Sequence, residues 1–286
     1  MVNDMKTVKT ALDYIEDHLS EKLDLEIIAE SAHYSKYHLH RIFARAAGLT
    51  IHDYVQRRRL TEAARLLVFS HRPILEIALG AGYESQQAFT AVFKAMYKKS
   101  PGQYREQKEY YPLQARYVLK EHPSIRDGGI DWKKDIRLAK AEDIPKWMEL
   151  LPMVADGFPH LEEGQHLEQL KEYIRGRRAL ILTDGGSAVG AMGFTPDTDR
   201  IDFLGFHPQY RSPKTIHAFL KKAFSLLESS AELSVTTFRK GDKADPGCRR
   251  MLKNAGFAEA GLLMEYGYPT QRFVLRRNHL EADIYE

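Results

Sequence analysis

The 286-residue sequence predicts a multidomain protein: an all-α double helix-turn-helix domain followed by an α+β mixed-sheet domain. Two observations predict this division. A pattern of short helix, turn and second helix occurs twice within residues 25–94, and strands alternate with helices from residue 136 onward. We place the domains and connecting segments at 1–108 (first domain), 109–135 (linker), 136–277 (second domain) and 278–286 (C-terminal tail).

The second helix of each copy follows the same design. Each begins with a serine that is able to cap a helix, Ser35 in the first copy and Ser85 in the second. Apolar residues follow at helical spacing: Leu39, Ile42 and Phe43 in the first copy, and Ala88, Phe89, Val92 and Phe93 in the second. In a helix-turn-helix, the second helix enters the major groove of DNA. The pattern therefore predicts two recognition helices in one chain.

A single helix is predicted between the two copies, over residues 50–70. Gly48 ends the first recognition helix, Thr50 starts the connecting helix, and Pro73 interrupts the chain before the second copy. About 21 residues at roughly 1.5 Å each give a rod of about 31 Å, and one turn of B-DNA is about 34 Å. We therefore expect the two recognition helices to reach successive major-groove segments of one duplex.

The charge is unevenly distributed, although the net charge is only +3. Residues 1–32 contain 3 Lys and Arg against 8 Asp and Glu, whereas residues 33–108 contain 13 against 5. A positive block on the duplicated motif attracts phosphate and predicts salt-dependent DNA binding. The run at 57–59 alone is equally typical of a solvated helix face. The expected phosphate contacts are Lys36, Arg45, Arg57, Arg58, Arg59, Lys94, Lys98 and Lys99.

Residues 7–108 resemble the DNA-binding domain of the AraC family of transcription regulators. The similarity is densest in the second copy, at Ile77, Ala78, Gly82, Tyr83, Glu84, Ser85, Phe89, Phe93, Lys94, Ser100, Pro101, Tyr104 and Arg105. Segments 35–43 and 82–87 look most like the small activators of stress and multidrug-resistance operons. The resemblance implies double-stranded operator DNA and RNA polymerase as partners, with activation as the mode of regulation.

The same resemblance implies which side chains read bases. They are Tyr37, His40 and Arg41 in one groove, and Gln86, Gln87, Thr90 and Ala91 in the next. Relatives often carry a long polar or basic residue where this chain has Ala91. We therefore expect the second helix to rely on Gln86 and Gln87, whose amides suit adenine edges.

The second domain is predicted to have the element order βααβββαβαββ. This order resembles the GNAT (N-acetyltransferase) fold over residues 136–277. The segments that carry the resemblance are 136–143, 207–211 and 254–257.

In the GNAT fold, the loop at 206–216 would bind the pyrophosphate of coenzyme A. Candidate residues for this ligand or CoA-like loop are Phe206, Arg211, Ser212, Lys214 and Thr215. The fold expects glycine where this chain has Lys214 and a small residue where it has Ile216, and Pro213 lacks an N–H.

Active members also commonly carry a tyrosine acid at the position of Leu252. We therefore predict no catalytic residue, and three readings of the second domain stay open. The domain senses a small molecule, it mediates protein contacts, or it is an active N-acetyltransferase that uses acetyl-CoA or another acyl-CoA.

No metal site is predicted, because no Cys and His spacing suits zinc. His33, His38 and His40 are close in sequence, but on a recognition helix they are expected to meet DNA or solvent. Asp202, His207 and His160 are either ligand contacts in the second domain or surface polar residues. Residues 158–161 are either a lid or an ordinary loop.

The expected location is the cytoplasm, with no membrane partner. The single cysteine, Cys248, excludes an intrachain disulfide and fits a reducing cytosol. No apolar run approaches the roughly 20 residues of a membrane span, and the N-terminus is too polar for a signal peptide.

Overall fold

The computed structural model describes residues 2–120, 130–154, 163–227, 231–265 and 267–282. These residues form two compact units. Unit 1 contains 2–120 together with 242–246, and unit 2 contains the other described residues. Unit 1 is helical and unit 2 contains a mixed sheet, so the predicted fold class is confirmed.

Unit 1 consists of two helix-turn-helix pairs joined by one long helix. Its helices are α1 (Val2–Asp17), α2 (Leu25–Ser31), α3 (Lys36–Ala47), α4 (Ile51–Phe69), α5 (Ile74–Gly80), α6 (Gln86–Tyr97) and α7 (Pro101–Gln107). Helices α2 and α3 form the first pair, α5 and α6 form the second, and α4 joins them.

Both recognition helices begin as their serines predict. The hydroxyls of Ser35 and Ser85 accept the backbone N–H three residues further on, at 3.4 and 3.2 Å. Gly48 ends α3 in the left-handed conformation, with φ at 73°. Lys98 takes the same conformation at the end of α6, with φ at 63°, although it carries a side chain. The two helices therefore start and end in the same backbone conformations, although the residue at the C-terminal end is glycine in α3 and lysine in α6.

The connecting helix α4 is 19 residues long. Thr50 and Ser70, the ends of the predicted helix, are its capping residues. At roughly 1.5 Å per residue, α4 is about 28 Å long, slightly shorter than the sequence-based expectation.

Part of the predicted linker is packed into unit 1. Leu113, Gln114, Tyr117 and Leu119 are all buried. The N–H groups of Leu113 and Gln114 both donate to the Thr61 hydroxyl at 3.1 Å. These contacts fix the segment against α4, so its assignment to a linker is wrong.

The sequence also predicts one strand within the linker, over residues 115–119, and this prediction is wrong. That segment has no assigned secondary structure, and the N–H of Tyr117 donates to the Tyr54 hydroxyl at 3.2 Å instead of to a neighbouring strand. Asp127, Gly128 and Gly129 predict a turn, and these residues, like the predicted lid or loop at 158–161, lie outside the described residues.

Unit 2 contains one seven-stranded sheet in the order β1-β2-β3-β4-β5-β7-β6. The strands are β1 (Ile136–Leu138), β2 (Ala179–Asp184), β3 (Ser187–Thr195), β4 (Arg200–Phe206), β5 (Glu232–Phe238), β6 (Ala258–Glu265) and β7 (Tyr268–Arg276). The helices are α8 (Ile144–Val154), α9 (Glu163–Arg175), α10 (Pro213–Leu226), α11 (Cys248–Asn254) and α12 (Arg277–Ala282). The predicted element order is confirmed, and α12 extends it into the predicted tail.

The strands β4 and β5 form the parallel pair of an otherwise antiparallel sheet. Their register joins Arg200 to Ser234 and Ile201 to Val235, although each strand has 7 residues. The two strands are therefore hydrogen-bonded at one end of β4 and separate towards Phe206.

Helices cover both faces of this sheet. Along β2, Leu180 and Leu182 belong to the core beneath α10 and α11, whereas Ala179 and Ile181 belong to the core beneath α8 and α9. This alternation follows from the two-residue period of a strand and explains why β2 is apolar on both faces.

A buried histidine lies in the core between α8 and α9. The indole Nε1 of Trp147 donates to Nε2 of His166 at 2.9 Å, and His166 is only 4% exposed. Burial lowers the pKa of His166 to about 4. The imidazole must stay neutral to accept this hydrogen bond, so unit 2 contains an acid-sensitive core contact.

We therefore predict that unit 2 loses stability as the pH falls from 6.5 towards about 4. In that window the unfolded chain binds a proton at His166 and the folded chain does not, which lowers the free energy of unfolding by up to about 1.4 kcal/mol per pH unit. Urea unfolding at several pH values, followed by tryptophan fluorescence, measures the slope. His166→Gln should flatten it, and His279→Gln, at an exposed position, should not. An unchanged slope in His166→Gln would contradict the assignment.

Candidate DNA-binding surface

The outer face of α3 carries the three predicted base-reading residues of the first copy. Tyr37 is 80% exposed, and His40 and Arg41 are exposed beside it. The opposite face of the helix, with Leu39 and Phe43, is fully buried. Packing of the apolar stripe thus directs the polar side chains outward together.

The outer face of α6 has the same arrangement. Gln86 and Gln87 are exposed, and Thr90 is half-buried. Phe89 and Phe93 are fully buried on the inner face. The structure thus brings the predicted base-reading residues onto one face of each recognition helix.

Four of the predicted phosphate contacts lie at the surface of unit 1. Lys94 is exposed, and Arg45 is exposed with its guanidinium 3.0 Å from the carboxylate of Asp4. Lys36 pairs with a glutamate of α2, and Lys99 lies 3.8 Å from the carboxylate of Glu109. Exposed ion pairs of this kind are weak in water, so these cations can exchange their partners for phosphate.

Arg57 is buried and bonded to backbone carbonyls. It is 3% exposed, and its Nη1 and Nη2 donate to the carbonyl oxygens of Ala244 and Leu113 at 2.8 and 2.7 Å. A guanidinium in this position is not available to a phosphate. The prediction that Arg57 contacts phosphate is therefore wrong.

Arg58 is also buried, in an ion pair with Glu16 of α1. Its Nε donates to a carboxylate oxygen of Glu16 at 2.8 Å, and Nη1 donates to the carbonyl of Gln114 at 3.1 Å. Burial lowers the pKa of Arg58, but the bonded Glu16 carboxylate outweighs this effect and the pKa is raised. The Tyr54 hydroxyl donates to the same carboxylate at 2.7 Å. The prediction that Arg58 contacts phosphate is wrong for the same reason.

The spacing of these two arginines on α4 was a signal that sequence reasoning missed. Arg58 lies four residues after the buried Tyr54, and Arg57 lies three residues before the buried Leu60. Both positions therefore belong to the inner face of the helix. A long side chain there must either find acceptors inside or disrupt the core.

Arg59 and Lys98 are intermediate cases, and their predicted phosphate contacts stay predictions. Arg59 is half-buried, and its Nε donates to the carbonyl of Leu19 at 2.8 Å. Lys98 is also half-buried, and its ammonium donates to the carbonyl of Ala95 and to the carboxylate of Asp242, both at 2.6 Å.

The loop after β4 in unit 2 is shaped by its own hydrogen bonds. Phe206 is buried at the end of β4, and Nε of Arg211 donates to its carbonyl at 3.1 Å. The Ser212 hydroxyl accepts the N–H of Thr215 at 3.2 Å and caps α10. Lys214 is the exposed member of the predicted set.

This loop does not fit a pyrophosphate. Pro213 has no N–H, and the Thr215 N–H is used by the cap. The side chains of Thr215 and Ile216 point into the core, where they are 2% and 1% exposed. A phosphate cradle needs several free backbone N–H groups at the start of a helix, and this turn lacks two of them.

The remaining candidates in unit 2 have structural surroundings. His207 is 2% exposed and its ring packs against Tyr210 at 5.7 Å. Asp202 accepts a hydrogen bond from the Thr195 hydroxyl at 2.6 Å. His207 is thus buried, which excludes the alternative that it is a surface polar residue. His160 lies outside the described residues.

The described residues contain neither a metal-binding cluster nor a membrane-spanning helix. No group of three or more His, Cys, Asp and Glu side chains among them is arranged to hold a metal ion. In the same part of the chain, no helix combines the length and the apolar character that a membrane span requires.

Two recognition helices with exposed polar faces, each packed on a shorter helix, define a double helix-turn-helix DNA-binding protein. A family described as a helix-turn-helix domain matches residues 28–107. The multiple antibiotic resistance protein MarA of Escherichia coli (strain K12) is 41% identical over 102 residues, which are 36% of this chain and 80% of MarA. The regulatory protein SoxS of the same strain is 36% identical over 100 residues, which are 35% of this chain and 94% of SoxS. The chain belongs to the AraC family of transcription regulators, which confirms the predicted resemblance.

The other comparisons include one further regulator and two solved structures. The HTH-type transcriptional regulator YbfP of Bacillus subtilis (strain 168) is 42% identical over 100 residues, and this chain spans only 34% of its length. An AraC-type regulator from Chromobacterium violaceum is 25% identical, with 36% of this chain and 92% of that chain covered and a TM-score of 0.35. A GNAT-family acetyltransferase from Streptococcus agalactiae is 13% identical, with 52% and 96% covered and a TM-score of 0.40.

The buried position of Arg58 gives a test of its structural role. We predict that Glu16→Ala lowers the free energy of unfolding by about 3 kcal/mol, because it removes the buried carboxylate of the pair and leaves Arg58 only the more exposed Glu62 carboxylate, at 3.2 Å. Asp13→Ala on the same helix is the matched control. Its carboxylate pairs with Arg116 at 2.8 Å at the surface, so the loss should be about 0–1 kcal/mol. Urea unfolding followed by circular dichroism measures both, and equal losses would contradict the buried pair.

Proposed function

We propose that the chain is a sequence-specific transcription regulator that places α3 and α6 in two successive major-groove segments of one operator. The observation that carries this proposal is the pairing of two capped recognition helices, each with an exposed polar face, at the two ends of α4. The length of α4, about 28 Å, is close to the roughly 34 Å pitch of B-DNA.

Base reading is assigned to the exposed side chains of the two helices. Arg41 has the fork of donors that suits guanine, and the amides of Gln86 and Gln87 suit adenine. Tyr37 and His40 complete the first face, and the half-buried Thr90 completes the second one. Helix α3 therefore carries more of the polar side chains that can contact bases, since Ala91 offers no polar group at the outer face of α6.

Phosphate contacts are assigned to the surface cations. Lys36, Arg45, Lys94 and Lys99 are all at least partly exposed, and Arg59 and Lys98 are secondary candidates. These contacts position the protein on the duplex and carry no sequence information directly.

For unit 2 we propose a regulatory role, in which it senses a small-molecule effector or mediates protein contacts. The poor fit of the loop at 206–216 to a pyrophosphate supports this role over catalysis. We also propose RNA polymerase as the partner through which an activator of this class acts, and a cytoplasmic location.

The alternative is a bifunctional regulator whose second domain is an acyl-CoA-dependent N-acetyltransferase. The observation that favours it is the separation of β4 from β5 after two residue pairs, which leaves an opening in the middle of the sheet. The loop at 206–216 supplies no cradle for the pyrophosphate of an acyl-CoA.

We predict different footprints for base-reading and phosphate-contact variants. On an operator selected from random duplexes, Arg41→Ala and Gln87→Ala should each relax specificity at particular base pairs, with a loss of about 1–3 kcal/mol. Lys94→Ala is the contrasting variant: it should weaken all sequences equally and reduce the slope of log K against log salt by about one. Footprinting with salt titration distinguishes the two patterns. Uniform weakening by Arg41→Ala would contradict its base-reading role.

We predict that acetyl-CoA gives no binding signal in calorimetry with the full-length chain. The physical reason is the loss of two backbone donors at the start of α10. The control is the same titration with an acetyltransferase of known activity. Micromolar binding together with thiol release in the presence of an amine would reject the regulatory proposal in favour of the enzymatic alternative.

A further inference from the structure

A cavity of about 560 Å³ lies within unit 1, beside the first helix-turn-helix and the turn of the second. Its walls come from the start of α2, from His40 of α3, from α4 and from the turn at residues 81–83. Small-molecule sites in proteins typically have volumes of about 300–1,000 Å³. The cavity is therefore large enough for a ligand and contacts both helix-turn-helix units.

One side of the cavity is apolar. Leu25 and Ile28 of α2 and Ile51 and Val55 of α4 line it together. Ile28, Ile51 and Val55 are nearly fully buried, with exposures of 1%, 4% and 7%. Four aliphatic side chains offer nothing to a phosphate, but they suit a hydrocarbon ring or chain.

The guanidinium of Arg59 also lines the cavity. A guanidinium has five N–H donors, and two of those of Arg59 are used, by the carbonyls of Leu19 and Glu21. Its Nη1 lies against the backbone of Gly82, where an added Cβ would come within 2.7 Å of it. Among the described residues, Nη1 has no acceptor and no carboxylate lies within 4 Å of the guanidinium.

The charge of Arg59 is therefore not balanced by an acid. Burial lowers the pKa of Arg59, which is the effect of removing a cation from water without such compensation. Asp24 is the one acid among the lining residues, and its carboxylate is engaged as the cap of α2, where it accepts the N–H of Ile27 at 2.9 Å. His40 and His52 also line the cavity, and neither supplies negative charge.

We propose that this cavity binds a small organic acid: a carboxylate held by Nη1 of Arg59, carried on an apolar ring or chain that packs on Leu25, Ile28, Ile51 and Val55. A carboxylate satisfies the unused donors and the unbalanced charge in one contact. The site lies in the DNA-binding unit and is distinct from any effector site of unit 2.

Occupancy of the cavity opposes operator binding. His40 belongs both to the outer face of α3 and to the cavity wall, so a bound acid changes the surface that meets the bases. Thermodynamic linkage requires that operator DNA lower the affinity for the acid by the same factor as the acid lowers the affinity for the operator. This second part of the inference rests on the proposed base-reading role of His40, whereas binding of the acid does not.

The test uses the full-length chain and 2-naphthoate as the probe, with uncharged 2-naphthamide as its matched control. In calorimetry without DNA, naphthoate should bind about tenfold or more tightly than the amide, a difference typical of one charge-assisted contact. Arg59→Gln should remove this preference. Arg65→Gln, on the same helix but paired with Glu62 at the surface, should retain it. Methyl NMR should show shifts at Ile28 and Ile51 and none at Ile77, which does not line the cavity.

Three results would overturn the proposal. Naphthoate and naphthamide could bind equally, or Arg65→Gln could lose as much as Arg59→Gln. Alternatively, Arg59→Gln could reduce operator affinity and its salt dependence without changing naphthoate binding, which would make Arg59 a phosphate contact. If Arg59→Gln does not fold, the proposal is tested on the unmodified chain alone. That test compares naphthoate with naphthamide through the methyl shifts of Ile28 and Ile51. If naphthoate binds but does not change operator affinity, the proposed coupling between the cavity and the operator is rejected. If the footprints instead contradict the base-reading roles, the result on naphthoate binding still holds.

Discussion

Three consecutive arginines in the middle of α4 hold unit 1 together. Successive residues of a helix point about 100° apart, so the three side chains leave the helix in three directions. Arg57 reaches the segment at 113–119, Arg58 reaches Glu16 of α1, and Arg59 reaches the loop that leads into α2. The helix that joins the two recognition units is thus also the one to which the other parts of unit 1 are attached. Its central position is maintained by hydrogen bonds from charged donors, in addition to apolar packing.

The arginine run also shows where the sequence was misleading. A cluster of three basic residues beside a DNA-binding motif is expected to be at the surface, and charge counting alone cannot distinguish a solvated guanidinium from one that is buried and bonded. Burying a charge is unfavourable unless acceptors surround it. Those acceptors are the carbonyls of Leu113 and Gln114 and the carboxylate of Glu16, all distant in sequence. These acceptors lie next to α4 only in the folded chain, so no local sequence pattern predicts the contacts.

The features that local patterns do encode were predictable. Serine caps, the apolar stripes of α3 and α6 and the glycine at the end of α3 are read directly from residue type and spacing, and the structure contains them. The extended segment at 113–119 was not predictable as part of unit 1, since its hydrogen bonds to Thr61 and Tyr54 join residues that are distant in sequence. In unit 2 the order of elements followed from alternation and turns. The contact between Trp147 and His166 did not, because residues 19 apart on two helices meet only after folding.

Unit 1 is not continuous along the chain. Residues 242–246 belong to it, and within it Ala244 accepts a hydrogen bond from Arg57 while Asp242 accepts one from Lys98. During synthesis the two recognition helices emerge from the ribosome long before these residues do. The carbonyl and carboxylate that satisfy Arg57 and Lys98 are therefore missing until most of the polypeptide has been translated. A nascent chain that stops before residue 242 would contain both recognition helices but not these two acceptors, so unit 1 is completed only after most of unit 2 has been translated.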